Sequence, residues 1–298
     1  MLQQTQSATV VPYFLRWMER FPDVQSLAAA SEDSLLSVWQ GLGYYRRCRL
    51  LQAGAKHIVE HGLPLDAEGW RKVPGVGAYT AGAVTSIALG LPEALVDGNV
   101  IRVYSRLTAD DSVAPTLERN AWAWAKVHVD ADRPGAWNQS LMELGATVCK
   151  PKQPLCRECP LAQECQALAS GRVEDLPRTI PKPPPIQLRH RAVVHRWLSS
   201  TGVEFFGLQQ IPSGEWWHGM WRFPAEFYSD SNSTYLGTVK HTVTNHRIKL
   251  EVSKLECESQ VPNLQWFSED QLEALALPSP QRKALKLIIR REPTLFET

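Results

Sequence analysis

No apolar run in the sequence approaches the roughly 18 to 20 residues that a membrane-spanning helix requires. The N-terminus also lacks a charged segment leading into an apolar one, the pattern of a secretory leader. A cytoplasmic protein without membrane association is therefore expected. Charge of one sign is missing too: 32 Lys and Arg against 31 Asp and Glu give a net charge of +1. Global electrostatics thus argue neither for nor against a polyanionic partner, and only local patches can decide. Cysteine is scarce, six in 298 residues, and no internal repeat stands out.

What is present fits a soluble protein with apolar material for two domains, 44% hydrophobic and 21% charged. The eleven tryptophans fall into two groups, Trp17 to Trp137 and Trp197 to Trp266, which implies two cores. Between them runs EDLPRTIPKPPPIQLRHR, whose Pro181, Pro183, Pro184 and Pro185 cannot continue a helix. A linker is expected at 175–188, separating a helical domain at 1–174 from a second domain at 189–298. In the first, SEDSLLSVWQGLG offers Ser31 as N-cap, Leu35, Leu36 and Trp39 on one face, and Gly41 and Gly43 as terminators. Similar periodicity recurs up to NAWAWAKVHVDA. After the linker, short β-branched and aromatic runs such as AVVHRWLSS and EFFGLQQI mix with helical EDQLEALAL and SPQRKALKLIIRRE. An all-α domain followed by an α+β domain is expected.

Four of the six cysteines crowd into CKPKQPLCRECPLAQEC, at Cys149, Cys156, Cys159 and Cys165, spaced C-x6-C-x2-C-x5-C. In a reducing compartment disulfides do not persist, and inert buried thiols have no reason to cluster. A metal site is the natural reading. Zinc and an iron–sulfur cluster both take four thiolates, and the spacing alone leaves the metal open. Other stretches also suggest chemistry. VPGVGAYTAGA is a glycine-rich turn opening a helix, which directs backbone N–H groups and a helix dipole outward and suits phosphate. YYRRCRLL gathers two tyrosines and three arginines. Asp97 in VDGNV precedes an apolar helical run, where an N-cap is the commoner use.

The cluster spacing, together with MLQQTQ, GLGYYRR, VPGVGAYTAGA and VDGNV in that order, resembles the helix-hairpin-helix DNA glycosylases of the endonuclease III and MutY group. The resemblance implies an all-α glycosylase domain whose loop 149–165 holds a [4Fe-4S] cluster through the four cysteines. It also implies that Gly75, Gly77 and Thr80 touch DNA phosphate, and that Asp97, with Asn99 nearby, stabilises positive charge developing on the sugar. The endonuclease III type places a nucleophilic lysine just before Thr80; here Tyr79 stands there. A phenol is a poor nucleophile at neutral pH, so water should capture the sugar. Tyr44 is implied as a wedge beside the lesion, Gln3 and Gln4 as probes of the vacated space, and Glu143 as lining the adenine pocket.

GEWWHGMWRFPAEF and KHTVTNHRIKLEV resemble the Nudix-like C-terminal domain of MutY, which inspects the base opposite the adenine; the magnesium-binding Nudix box is not found between Gly207 and Glu251. Where many MutY proteins carry Phe-Ser-His, this sequence has Val243, Thr244 and Asn245, with His246 next. The expected function is therefore hydrolysis of the N-glycosidic bond of adenine mispaired with 8-oxoguanine or guanine in double-stranded DNA, by a monomer. The MutY resemblance places the acid that protonates adenine on a glutamate two residues upstream of Met1, so excision by residues 1–298 is expected to be severely impaired. Three alternatives stay open: a lesion-binding protein without turnover, an endonuclease III-like glycosylase, and a zinc-stapled DNA-binding module.

Overall fold

The structure is a computed structural model that describes residues 1, 5, 7–181, 183–225 and 233–289. The chain forms two compact units, one of Met1–Arg49 with Pro183–Thr298, the other of Leu50–Lys182. The sequence alone suggests a different division, with the first 49 residues in the helical domain.

In the first unit, helices α1 (Ser7–Arg20), α2 (Val24–Ala29) and α3 (Glu32–Trp39) lead into α4 (Tyr45–His61), which continues into the second. Asp23 closes a capping box with Ser26 at the start of α2. Ser31 caps α3 as its sequence predicts, accepting from the Ser34 amide. The apolar stripe of α3 is buried at Leu35, Leu36 and Trp39, and Trp39 meets Trp17 edge-on at 5.4 Å.

The second unit runs through α5 (Ala67–Lys72), α6 (Ala78–Ala88), α7 (Gly98–Leu107), α8 (Thr116–His128) and α9 (Pro134–Glu143). A π-helical turn (Leu144–Val148), a 3-10 turn (Cys156–Glu158) and α10 (Gln166–Ala169) follow. Its core gathers Leu95, Val96, Val100, Val103, Leu117, Ala121 and Leu141. Leu176 is also buried, and among the described residues no regular element lies between Ala169, the end of α10, and Ile186, the start of β1.

The remainder of the first unit is a mixed sheet of β1 (Ile186–Leu198), β2 (Glu204–Gln210), β3 (Trp221–Arg222), β4 (Thr234–Val243), β5 (His246–Cys257) and β6 (Gln265–Ser268). The order is β3-β2-β1-β5-β4, with β6 also on β2. The central pair β1 and β5 runs parallel, from Ile186 opposite His246 to Trp197 opposite Cys257; the others are antiparallel. Helices α11 (Glu269–Ala274) and α12 (Ser279–Ile289) complete this part, and Leu272, Leu277, Ala284 and Leu285 join Val194, Phe206, Leu208 and Val252 in its core. Two imidazoles are held neutral here. Burial lowers the pKa of His195, which is fully enclosed, and of His241, whose ring is depressed further by His190. Below the ordinary histidine pKa the unfolded chain takes up protons that the folded one refuses, so stability is full above about pH 6.5 and falls as pH drops below it. A series of melting temperatures from pH 8 to pH 5 should decline accordingly, and substituting His241 by Gln should flatten the decline.

Candidate active site

The turn between α5 and α6 brings the glycines of VPGVG to the surface. Gly75 adopts φ +83°, and a Cβ there would lie 2.7 Å from Leu50 Cβ, so glycine is required twice over. Gly77 is the N-cap of α6 and has no side chain to satisfy the first-turn amides. Gly75 and Gly77 are exposed, and Thr80 lies in the first turn of the helix, half-buried. An exposed helix N-terminus of this form suits an anion.

Tyr79 lies in that same first turn. Its hydroxyl donates to Met142 Sδ at 3.5 Å. Burial, and then the Asp97 carboxylate, push its pKa above the ordinary phenol value, so it stays a neutral hydroxyl. Asp97 is half-buried at the N-cap of α7. Its Oδ1 accepts from the amides of Asn99 (2.9 Å) and Val100 (2.8 Å), and its Oδ2 accepts from Asn99 Nδ2 at 2.9 Å. The capping and the catalytic readings of this residue are therefore compatible: the cap fixes the carboxylate, and the helix dipole favours its negative charge.

Asn99 is in turn oriented from behind. Arg102 donates through Nη2 to Asn99 Oδ1 (2.8 Å) and the Gly145 carbonyl (2.6 Å), and through Nε to the Cys149 carbonyl (2.7 Å). With the amide oxygen facing a guanidinium, its nitrogen faces Asp97. The approach that allows this is tight, since a Cβ on Gly145 would lie 2.6 Å from Asn99 Cβ. Arg102→Gln should leave Asn99 free to turn and lower base release by about ten- to a hundredfold, on the scale of lost charged hydrogen bonds. Comparing single-turnover rate with duplex affinity checks this, because affinity should change less.

The four cysteines line a single cavity of about 30 Å³, together with Arg106, Val148, Pro154, Ala162, Leu168 and Val173. Arg106, 2% exposed, spans the loop. It donates to the carbonyls of Lys150 (2.7 Å), Pro151 (3.2 Å) and Leu176 (2.9 Å), and its Nη1 lies 3.4 Å from Cys149 Sγ. Its own carbonyl accepts from Cys165 Sγ at 3.4 Å. Burial, followed by repulsion from the other three sulfurs, raises the Cys156 pKa, so the thiols sense one another. Among the described residues no three His, Cys, Asp or Glu side chains converge tightly enough to ligate a single ion. Four thiols around one cavity are a donor set that suits a metal centre, zinc or iron–sulfur. The remaining cysteines differ: Cys48 is buried and its pKa pushed up to about 12, an inert thiol, and Cys257 is half-buried on β5.

Of the other expected site residues, Glu143 ends α9 with its side chain exposed, next in sequence to Met142. Gln3 and Gln4 lie outside the described residues. Tyr44, in the first unit, is 56% exposed at φ +50°, with the Arg47 guanidinium 5.1 Å from its ring centroid. Thr244 and Asn245 form the two-residue turn between β4 and β5, with Thr244 at φ +49°. Thr244 Oγ1 lies 3.4 Å from His246 Nδ1, and His246 packs edge-on to Trp216 at 4.9 Å. Arg102 and Arg106 are the residues that sequence reasoning missed.

The chain that carries this site has known relatives. Residues 1–126 match the HhH-GPD superfamily of base excision DNA repair proteins, and residues 199–287 match a NUDIX domain. A solved thermostable thymine-DNA glycosylase shares the fold at TM-score 0.51 and 22% identity, over 57% of this chain and 80% of that one. The human adenine DNA glycosylase is 32% identical over 98% of this chain and 67% of its own length; the mouse enzyme is 46% identical over 59% and 36%. The chain belongs to the adenine DNA glycosylase family, and it is a DNA glycosylase of base excision repair.

Proposed function

We propose that the protein hydrolyses the N-glycosidic bond of adenine mispaired with 8-oxoguanine or guanine in duplex DNA, leaving an abasic site without cutting the strand. The observation that carries this reading is Asp97, held by three hydrogen bonds at the start of α7, with its charge raising the pKa of the Tyr79 phenol. Breaking the bond to adenine puts positive charge on the sugar, and a pre-oriented carboxylate stabilises that charge as it develops. Tyr79, protonated and uncharged, is no covalent nucleophile, so water takes the sugar. The amides at Gly75, Gly77 and Thr80 hold backbone phosphate, which positions the duplex but does not read it. Tyr44 fills the gap left by the extruded nucleotide. Glu143 contacts the base, while Thr244, Asn245 and His246 face the partner base with hydroxyl, amide and imidazole groups.

Cys149, Cys156, Cys159 and Cys165 would hold a [4Fe-4S] cluster, which shapes the loop carrying Lys150 and Lys152 and takes no part in bond cleavage. Borohydride added during reaction should trap no protein–DNA adduct, and abasic sites should become breaks only on heating in alkali. A borohydride-stable adduct would favour an amine nucleophile and sink the monofunctional reading.

A further inference from the structure

We propose that the Nudix-like part of the first unit seats the loop carrying Tyr44. A lock between Gln40 and Arg282 holds one end of that loop, and a tie from Arg49 to the backbone of His218 holds the other. This rests on the reading of Tyr44 as the residue that fills the vacated stack.

Gln40 caps the C-terminus of α3, where the chain turns toward Tyr44. Both ends of its amide are committed: Nε2 donates to the Leu277 carbonyl and Oε1 accepts from Arg282 Nη2, each at 2.9 Å. Arg282, in the first turns of α12, also reaches the carbonyls of Glu273 (2.9 Å) and Leu275 (3.0 Å), so one guanidinium gathers the α11–α12 connection and the end of α3. Burial lowers its pKa, with Tyr45 and Glu273 opposing, as expected of a partly desolvated charge whose partners matter. At the far side of the loop, Arg49 pairs with Glu32 at 2.5 Å and donates to the His218 carbonyl, in the connection between β2 and β3.

Between these ties the backbone has little freedom to find its shape unaided. Gly41, Gly43 and Tyr44 all have positive φ, at 100°, 71° and 50°. For a tyrosine that conformation is disfavoured and persists only where its surroundings impose it. Inside the loop, Trp39 Nε1 donates to the Gly43 carbonyl at 2.9 Å, and the Gly41 amide reaches Tyr45 Oη at 3.4 Å. These local bonds set the curl, but they link residues that move together. Among the described residues, Gln40 and Arg49 tie the stretch to residues more than 150 positions away. Gln40 and Arg282 are thus positioning residues that act through Tyr44.

The test uses the iron-loaded full chain and a duplex with 2-aminopurine, which brightens on unstacking, opposite 8-oxoguanine. The unsubstituted protein should raise fluorescence on binding, and Tyr44→Ala should lower the gain. Gln40→Ala and Arg282→Ala should each lower it by roughly three- to tenfold, the scale of one lost charged hydrogen bond. Gln40→Glu, which keeps the acceptor for Arg282 but sets an oxygen against the Leu277 carbonyl, should restore only part of it. In a Tyr44→Ala background the Arg282 substitution should add nothing. A full signal from both lock variants, or an equal Arg282 effect with and without Tyr44, overturns the proposal. If Arg282→Ala fails to fold, Gln40→Ala and Gln40→Glu decide alone. If Tyr44→Ala itself changes nothing, the wedge reading fails and the lock falls with it.

Discussion

Asp97→Asn should cut the single-turnover rate of base release by about 10²- to 10³-fold, the scale of removing one pre-oriented electrostatic group from a transition state. The substitution is informative because it spares the fold. Asparagine remains a good N-cap, so its Oδ1 can still accept from the Asn99 and Val100 amides, and α7 should start where it does now. At the other oxygen the change is abrupt. An amide would present N–H to Asn99 Nδ2, itself a donor, and Asn99 cannot turn without facing its nitrogen to Arg102. Charge and local order are lost together at the point where sugar charge would develop, while melting temperature should move little. A variant that released base at the normal rate would remove Asp97 from the chemistry.

The second large effect is on stability and metal content. Arg106→Leu should destabilise the Leu50–Lys182 unit by about 3–5 kcal/mol, the scale of three buried carbonyls each left without a donor. Three carbonyls, of Lys150, Pro151 and Leu176, would lose their donor inside the protein, and Cys149 Sγ its neighbouring cation. The loop that brings four sulfurs round one cavity would lose the side chain at its centre. Iron per chain should fall steeply, with the visible absorption, and the protein should melt roughly 10 °C or more lower. Arg106→Lys should recover little, since an ammonium cannot span the same carbonyls. Retention of iron and melting temperature by Arg106→Leu would mean that the cysteines organise the loop unaided.

Much of this was legible in the sequence, for identifiable reasons. Ser31, the Gly75 turn, Asp97 before an apolar helix and the clustered cysteines are local signals, each read within a few residues, and the structure puts each on its expected element. Arg102 and Arg106 were not legible. Basic residues four apart on a helix read as a solvated face, whereas their partners are backbone carbonyls 43 to 70 positions later. The ties of the first 49 residues to the C-terminal part were not legible either: α4 is one unbroken helix, and the bonds from Gln40 and Arg49 to His218, Leu277 and Arg282 span 169 to 242 positions. Composition carries no trace of such pairings. The parallel pairing of β1 with β5 likewise has no local signature, because the intervening strands decide it.

The central claim is that a helical scaffold, anchored by a sulfur-bound group, holds Asp97 against the sugar of an extruded adenine. It is tested most directly by incubating iron-loaded protein with duplexes carrying adenine opposite 8-oxoguanine, guanine or thymine and measuring alkali-revealed abasic sites under single-turnover conditions. The account predicts abasic sites at the adenine opposite 8-oxoguanine and guanine, few or none opposite thymine, and loss of the signal in Asp97→Asn. Equal release from the thymine pair, or release that survives Asp97→Asn, would contradict it.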